Sequence, residues 1–215
     1  LDGGSVTLTS GAGSVQIAGK VSADASLGVG GQVSINAATQ AVVAAGGSVT
    51  ANGAQTGGNL EIRAASYIGV DSGALVQANG SAGGNVTLAS DAGSIVIGGN
   101  VEASGLELAG GTIRISADSD ITLGDSSAIS TLGSRGGMTR IEARQGTLLA
   151  SGLVDSSGND GPGGLILMLA PRVGLIRNAY INASGRTGGG EVLVGGDYQG
   201  NNPDIQNAQR TFVGS

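Results

Sequence analysis

The 215-residue chain contains no cysteine, no histidine and no tryptophan, one phenylalanine, three tyrosines and a single lysine, Lys20. Without cysteine there is no disulfide framework, no thiol nucleophile and no Cys-based zinc site. Secreted proteins permit disulfides without requiring them, and a long stacked core needs no such staple. The lack also suits a chain that stays unfolded while it threads a secretion pore. The net charge is −6, which argues against the clustered Lys and Arg that a nucleic-acid partner would need. No run of 18 apolar residues occurs, so no segment of the sequence spans a bilayer as a helix. The sequence opens at Leu1 with neither an initiator Met nor a signal peptide, and its first residues already belong to a repeat. The expectation is an interior segment of something longer.

Glycine is the abundant residue, 43 of 215, yet it lacks the three-residue period and high proline content of collagen. Instead a Gly-Gly pair recurs eight times, at Gly3-Gly4, Gly30-Gly31, Gly57-Gly58, Gly83-Gly84, Gly110-Gly111, Gly136-Gly137, Gly163-Gly164 and Gly189-Gly190. The intervals are 26 or 27 residues. A period of this size marks a solenoid, in which one unit cannot bury its apolar face without a stacked neighbour.

Superposing the units shows which positions face inward. Three residues after each first Gly stand Val6, Val33, Leu60, Val86, Ile113, Thr139, Ile166 and Val192. Five after it stand Leu8, Ile35, Ile62, Leu88, Ile115, Ile141, Met168 and Val194, and seven after it only Ser, Ala or Gly. Period-two alternation that ends on a small residue predicts a short half-buried strand running into a tight corner. With large rings scarce, the core consists of small and branched aliphatics, which fill a narrow prism.

A second strand is predicted in most units, for example at Val15-Ile17, Tyr67-Val70, Ile95-Ile97, Ile121-Leu123, Leu148-Leu149 and Val173-Ile176. A shorter third follows at Val49-Ala51, Val76-Ala78, Val101-Ala103, Leu153-Asp155 and Tyr180-Ala183. It ends in turns such as Asn52-Gly53, Asn79-Gly80, Ser104-Gly105, Ser157-Gly158 and Ser184-Gly185, where Gly is expected to supply positive φ. The fold expected is all-β: a right-handed, single-stranded parallel β-helix of about eight coils with three short strands each, right-handed because parallel crossovers are. The β-helix repeat region covers 1-195. Residues 196-215 form an irregular tail, read as a cap or the start of an atypical further coil, with one strand-like piece at Thr211-Val213.

Little in the sequence announces chemistry. Pectate lyases and polygalacturonases share this architecture, but their sites need clustered acids and bases in one groove. Here ten basic and 16 acidic residues are spread over the coils. The best acidic grouping is Asp118, Asp120 and Asp125, residue types that favour corners for local hydrogen-bonding reasons. The segment Gly158-Gly164 departs in spacing from the Gly-Gly-x-Gly-x-Asp pattern of calcium-binding nonapeptides and occurs once. No catalytic residue, metal ligand or cofactor is assigned, and the chain is read as a non-enzyme.

Two outward features stand out. Arg114, Arg140, Glu142 and Arg144 fall on adjacent rungs as a mixed-charge patch, read as surface dressing that discourages aggregation. In Leu165-Leu169, alternation turns Leu165, Leu167 and Leu169 outward beside Met138 and Leu193. These five residues are a candidate packing or partner patch, covered by the tail carrying Tyr198 and Phe212, by a neighbouring segment outside this stretch of sequence, or by another chain.

The unit Gly-Gly-x-Val-x-Leu-x-Ala with its Asn-Gly or Ser-Gly turn resembles the passenger repeats of filamentous haemagglutinin-type exoproteins of two-partner secretion systems. The stretch Gly189-Gly200, followed by Asn207-Val213, is similar to a segment that recurs in large bacterial members of that family. The resemblance implies a stalk or adhesive segment of a secreted bacterial cell-surface protein, presenting flat faces for cell-surface, host or biofilm attachment. Its implied partners are neighbouring segments of the same long chain, an outer-membrane secretion partner engaged through sequence outside this segment, and a glycan or host receptor. The only Asn-Pro, Asn202-Pro203, lies at the wrong end for the Asn-Pro-Asn motifs of the transport domain. The alternative is a polysaccharide-acting β-helix enzyme or a carbohydrate-binding module.

Overall fold

The computed structural model describes residues 1–214, and it is built from three parallel sheets. The first sheet has eight strands, Ser5–Ser10, Gln32–Ala37, Asn59–Ala64, Asn85–Ser90, Thr112–Ala117, Met138–Ala143, Leu165–Leu169 and Glu191–Val194. The second also has eight, running from Val15–Ile17 to Arg210–Gly214, and the third has seven, from Lys20–Ser22 to Tyr180–Asn182. Each strand pairs with its counterpart one period away, so the chain winds a parallel β-helix of seven complete coils and two sides of an eighth. No α-helix occurs among the described residues.

Register follows the superposed columns residue for residue. Val33 pairs with Leu60, Leu60 with Val86, Val86 with Ile113, Ile113 with Thr139 and Thr139 with Ile166. Ile35, Ile62, Leu88, Ile115, Ile141 and Met168 stack beside them and are closed to solvent. Together with second-face residues such as Ile68, Ile95 and Ile121 and third-face residues such as Val76, Val101 and Ile129, they form one continuous apolar core. A one-residue slip would turn every one of these side chains outward, which is why a strictly alternating pattern specifies the register so firmly.

The Gly-Gly pair closes the coil. The second glycine's amide donates to the carbonyl at the end of the preceding third strand, as Gly84 does to Ala78, Gly111 to Ala103 and Gly137 to Thr131, at 2.7–2.8 Å. The first glycine donates to the next coil, as Gly83 does to Ala109 and Gly136 to Pro162. Both require backbones to approach closely: a Cβ on Gly137 would collide with the Gly111 carbonyl, and one on Gly136 with the Ser156 carbonyl.

The glycines of the Asn-Gly and Ser-Gly turns correct an expectation. None of Gly53, Gly80, Gly105, Gly158 or Gly185 has positive φ; the positive values fall at Gly46, Gly73, Gly195, Gly196 and Gly200. A Cβ on Gly80 would press against the Gly57 amide and the Ala82 carbonyl, so the absent side chain makes room for the neighbouring coil. Along the first coils the side chains at this corner, Asp24, Asn52 and Asn79, meanwhile form a ladder, whereas the Ser157 and Ser184 amides bond within their own turns to Asp155 and Asn182. The Asp24 carboxylate accepts from the Asn52 amide at 2.8 Å, Asn52 Oδ1 accepts from the Asn79 amide at 2.8 Å, and Asn79 Oδ1 accepts from the Ser104 amide at 2.7 Å.

Thr139 is the one polar member of its inward column within the stacked interior. Its hydroxyl lies 3.1 Å from Thr131 Oγ1 and 3.1 Å from Ser156 Oγ, and the latter two are 2.7 Å apart. All three residues are fully buried. Three hydroxyls in a triangle can each donate once and accept once, so the site carries no unmet polar group.

Beyond Val194 the chain leaves the first face, makes a short 3-10 turn at Tyr198–Gly200 and returns as Arg210–Gly214, pairing with Arg172–Ile176. The Ala208 amide donates to the Gly195 carbonyl at 2.6 Å, closing the neck of this excursion.

Replacing Ile115 by Ala should cost about 3–4 kcal/mol, read by urea denaturation, because the rigid stacks above and below cannot collapse into the space. Gly137→Ala should cost about 2–3 kcal/mol in the same assay, through collision of the new Cβ with the Gly111 carbonyl. Burial raises the Asp24 carboxyl, and hydrogen bonds from Ser22, the Asn52 amide, Thr50 and Lys20 more than offset it, leaving its pKa below the ordinary value. Its contribution is therefore present above about pH 3.9 and lost as pH falls through the lower folded-state value. Thermal melts below pH 4 should show a smaller decline in Asp24→Asn than in the parent.

Candidate functional site

On the outside of the first sheet the outward positions form two columns. One reads Ser34, Glu61, Thr87, Arg114, Arg140, Leu167 and Leu193, and the other Asn36, Arg63, Ala89, Ser116, Glu142 and Leu169. Where Thr87, Ala89 and Ser116 follow one another the wall is low, and longer side chains on either side rise above it. The result is a depression of about 480 Å³ lined by Arg63, Arg114, Arg140, Arg144, Asp91 and Glu142, with Met138 and Leu167 at one edge.

Ion pairs fix most of its rim. Arg140 donates from Nε and Nη2 to Glu142 Oε2 at 2.9 and 2.8 Å. Arg63 pairs with Glu61, and Arg144 reaches Asp118 at 3.5 Å and the Asp91 carbonyl at 3.3 Å. Arg114 is exposed and has no ion-pair partner among the described residues. The patch expected from Arg114, Arg140, Glu142 and Arg144 is thus a single surface feature. Arg63 and Asp91 complete it; counting rungs along their columns would have found both.

The acidic residues at the corners do not converge. Asp118 accepts from Gln145 at 3.0 Å, Asp120 accepts from the Thr147 amide at 2.7 Å, and Asp125 pairs with Arg177 at 3.1 Å. Asp160, within the glycine-rich segment, faces Arg186 at 3.5 Å. Each carboxylate serves its own turn or its own arginine. Among the described residues no group of three or more acidic side chains is placed to hold a metal ion.

The leucine patch differs from an open apolar face. Met138, Leu165 and Leu193 are half-buried, Leu167 is 6% exposed and Leu169 is closed to solvent. Leu169 is paired with Glu142, on the outward column, so its own coil cannot bury it. The segment between Gly195 and Ala208 lies there instead: the Gly195 amide bonds to Met168, Gln206 Nε2 donates to the Arg144 carbonyl at 2.9 Å, and the Gln209 amide bonds to Pro171. Within that tail the aromatic side chains themselves, Tyr198 and Phe212, stay exposed at 79% and 55%.

No family model, curated protein or solved structure matches the chain. Among the described residues no helix is long and apolar enough to cross a membrane.

Leu169→Lys should lower stability by about 2–4 kcal/mol in urea denaturation, since an ammonium at a closed site must be desolvated or must displace the excursion. Leu167→Lys should cost about 1 kcal/mol, because a lysine at the depression's edge can extend its charge into solvent.

Proposed function

We propose that this chain is a structural and attachment segment of a large secreted bacterial surface protein of the filamentous haemagglutinin type. The observation that supports the reading is the continuous ladder on three faces: seven coils of 26 to 27 residues succeed one another without a long insertion, and only the eighth carries the excursion between Val194 and Arg210. Eight rungs at about 4.8 Å give a stiff rod roughly 34 Å long. Each parallel strand is held along its length by both neighbours, so bending the rod breaks several backbone hydrogen bonds at once. Such a rod transmits position along its axis and offers its flat sides as contact surfaces. An enzyme on the same fold builds walls around a cleft with long loops, and through the first seven coils the near-constant period leaves no chain for them.

In this reading the segment lies at the bacterial surface, reached through a transport domain elsewhere in the full-length protein and an outer-membrane partner. It holds surface contacts away from the cell and meets a host or biofilm glycan along its side.

Beads coated with the purified segment should be retained on biofilm matrix or host-cell surfaces above beads coated with an unrelated β-rich protein. In parallel, a reducing-sugar assay over plant and bacterial polysaccharides should show no release. Release of reducing ends would replace the attachment reading with the enzyme. Equal retention of both bead types would remove adhesion and leave only a spacer.

A further inference from the structure

Four of the ten basic residues of a chain with net charge −6 line one depression. Two of them, Arg114 and Arg140, stand directly opposite each other on adjacent rungs. Like charges facing across a ladder are destabilising, so this arrangement opposes folding unless something anionic lies between them. Glu142 answers Arg140, leaving the Arg114 guanidinium as the one arginine without an ion pair in a frame whose other arginines are tied down; the Asp91 carboxylate on the rim is likewise without one, Arg144 reaching only its backbone carbonyl.

The composition of the rim narrows the ligand. A ligand that placed several negative charges inside the depression would be attracted to Arg114 but would meet the carboxylates of Glu142 and Asp91 there. A ligand that places one negative charge in the depression, with any others a sugar unit away, avoids that repulsion. Hydroxyl groups would in turn use both kinds of rim, donating to Glu142 and Asp91 and accepting from the arginines. The floor at Ala89 and Ser116 is low enough to seat a ring, and Met138 and Leu167 supply an apolar edge for its C–H surface. Rungs about 4.8 Å apart repeat on a scale close to that of one sugar unit in an extended chain.

From this juxtaposition we infer that the depression binds a sugar unit bearing one carboxylate, a uronic acid within a polysaccharide, with Arg114 as the bidentate carboxylate ligand. The inference deepens the attachment reading by naming a ligand class, and it rests on that reading only for its biological purpose. Binding is a property of the isolated rod and is measured there.

Titration calorimetry with trigalacturonate, its methyl ester, maltotriose and a tri-aspartate peptide tests it. Trigalacturonate should bind saturably, and Arg114→Gln, at an exposed position, should weaken it about tenfold or more, the scale of a lost charge-assisted pair. The methyl ester and maltotriose should be weakened on the parent protein to a similar extent. Ala89→Leu, which fills the floor while leaving Arg114 in place, should also weaken trigalacturonate. Equal affinity for acid and ester, unchanged affinity in Arg114→Gln, tighter binding of tri-aspartate, or no saturable binding of trigalacturonate would each overturn the assignment. Bead retention that persists in Arg114→Gln would leave attachment standing without this site, whereas trigalacturonate binding without bead retention would do the reverse.

Discussion

Every coil is closed by a backbone contact too short to admit a side chain. From Gly31 onward, the second glycine of each pair donates its amide to the end of the third strand behind it, while its α-carbon sits against the carbonyl of the glycine one coil below. Because this contact recurs at each corner, it sets where the next first-face strand begins, and hence which side chains stack. The aliphatic columns contribute most of the stabilisation, but they fill a cross-section whose size the glycine corner dictates.

Much of this architecture could be read from the residues. The inward columns at the third and fifth positions after each pair emerge in the register expected of them, because alternation with a fixed period leaves only one face to bury. The strands Gln40–Val43, Lys20–Ser22 and Ala128–Ser130 were harder to see. They are short and polar at one or both ends, and stacked neighbours hold them rather than any propensity of their own. The turn glycines show the limit of local reasoning: Asn-Gly reads as a positive-φ turn, yet in Asn79-Gly80 proximity to another coil selects the glycine. Thr139 likewise looks like a flaw in an apolar column until Thr131 and Ser156, eight and 17 residues away in sequence, are seen to meet it.

The outer surface was legible in part. Arg114, Arg140, Glu142 and Arg144 could be placed on neighbouring rungs from the period alone, but neither the low floor at Ala89 and Ser116 nor the pairing that leaves Arg114 unmatched follows from spacing. For Leu165 to Leu169, alternation suggests outward positions needing cover and offers the tail as one candidate. It does not say which part of the tail comes near: bonds to Met168, Arg144 and Pro171 hold the stretch around Gln206 beside Leu169, while Tyr198 and Phe212 stay exposed.

Parallel stacking gives the rod a modular numbering of its own. Excising 26 or 27 residues between equivalent corners, away from the hydroxyl triangle around Thr139, would splice each inward column onto itself in register while sliding every exterior group downstream by one step along the axis. Length and decoration can therefore vary separately in such a protein. A lineage can lengthen its reach by duplicating a turn, or compose a new recognition surface by exchanging residues that never touch the interior, without having to solve the folding problem again.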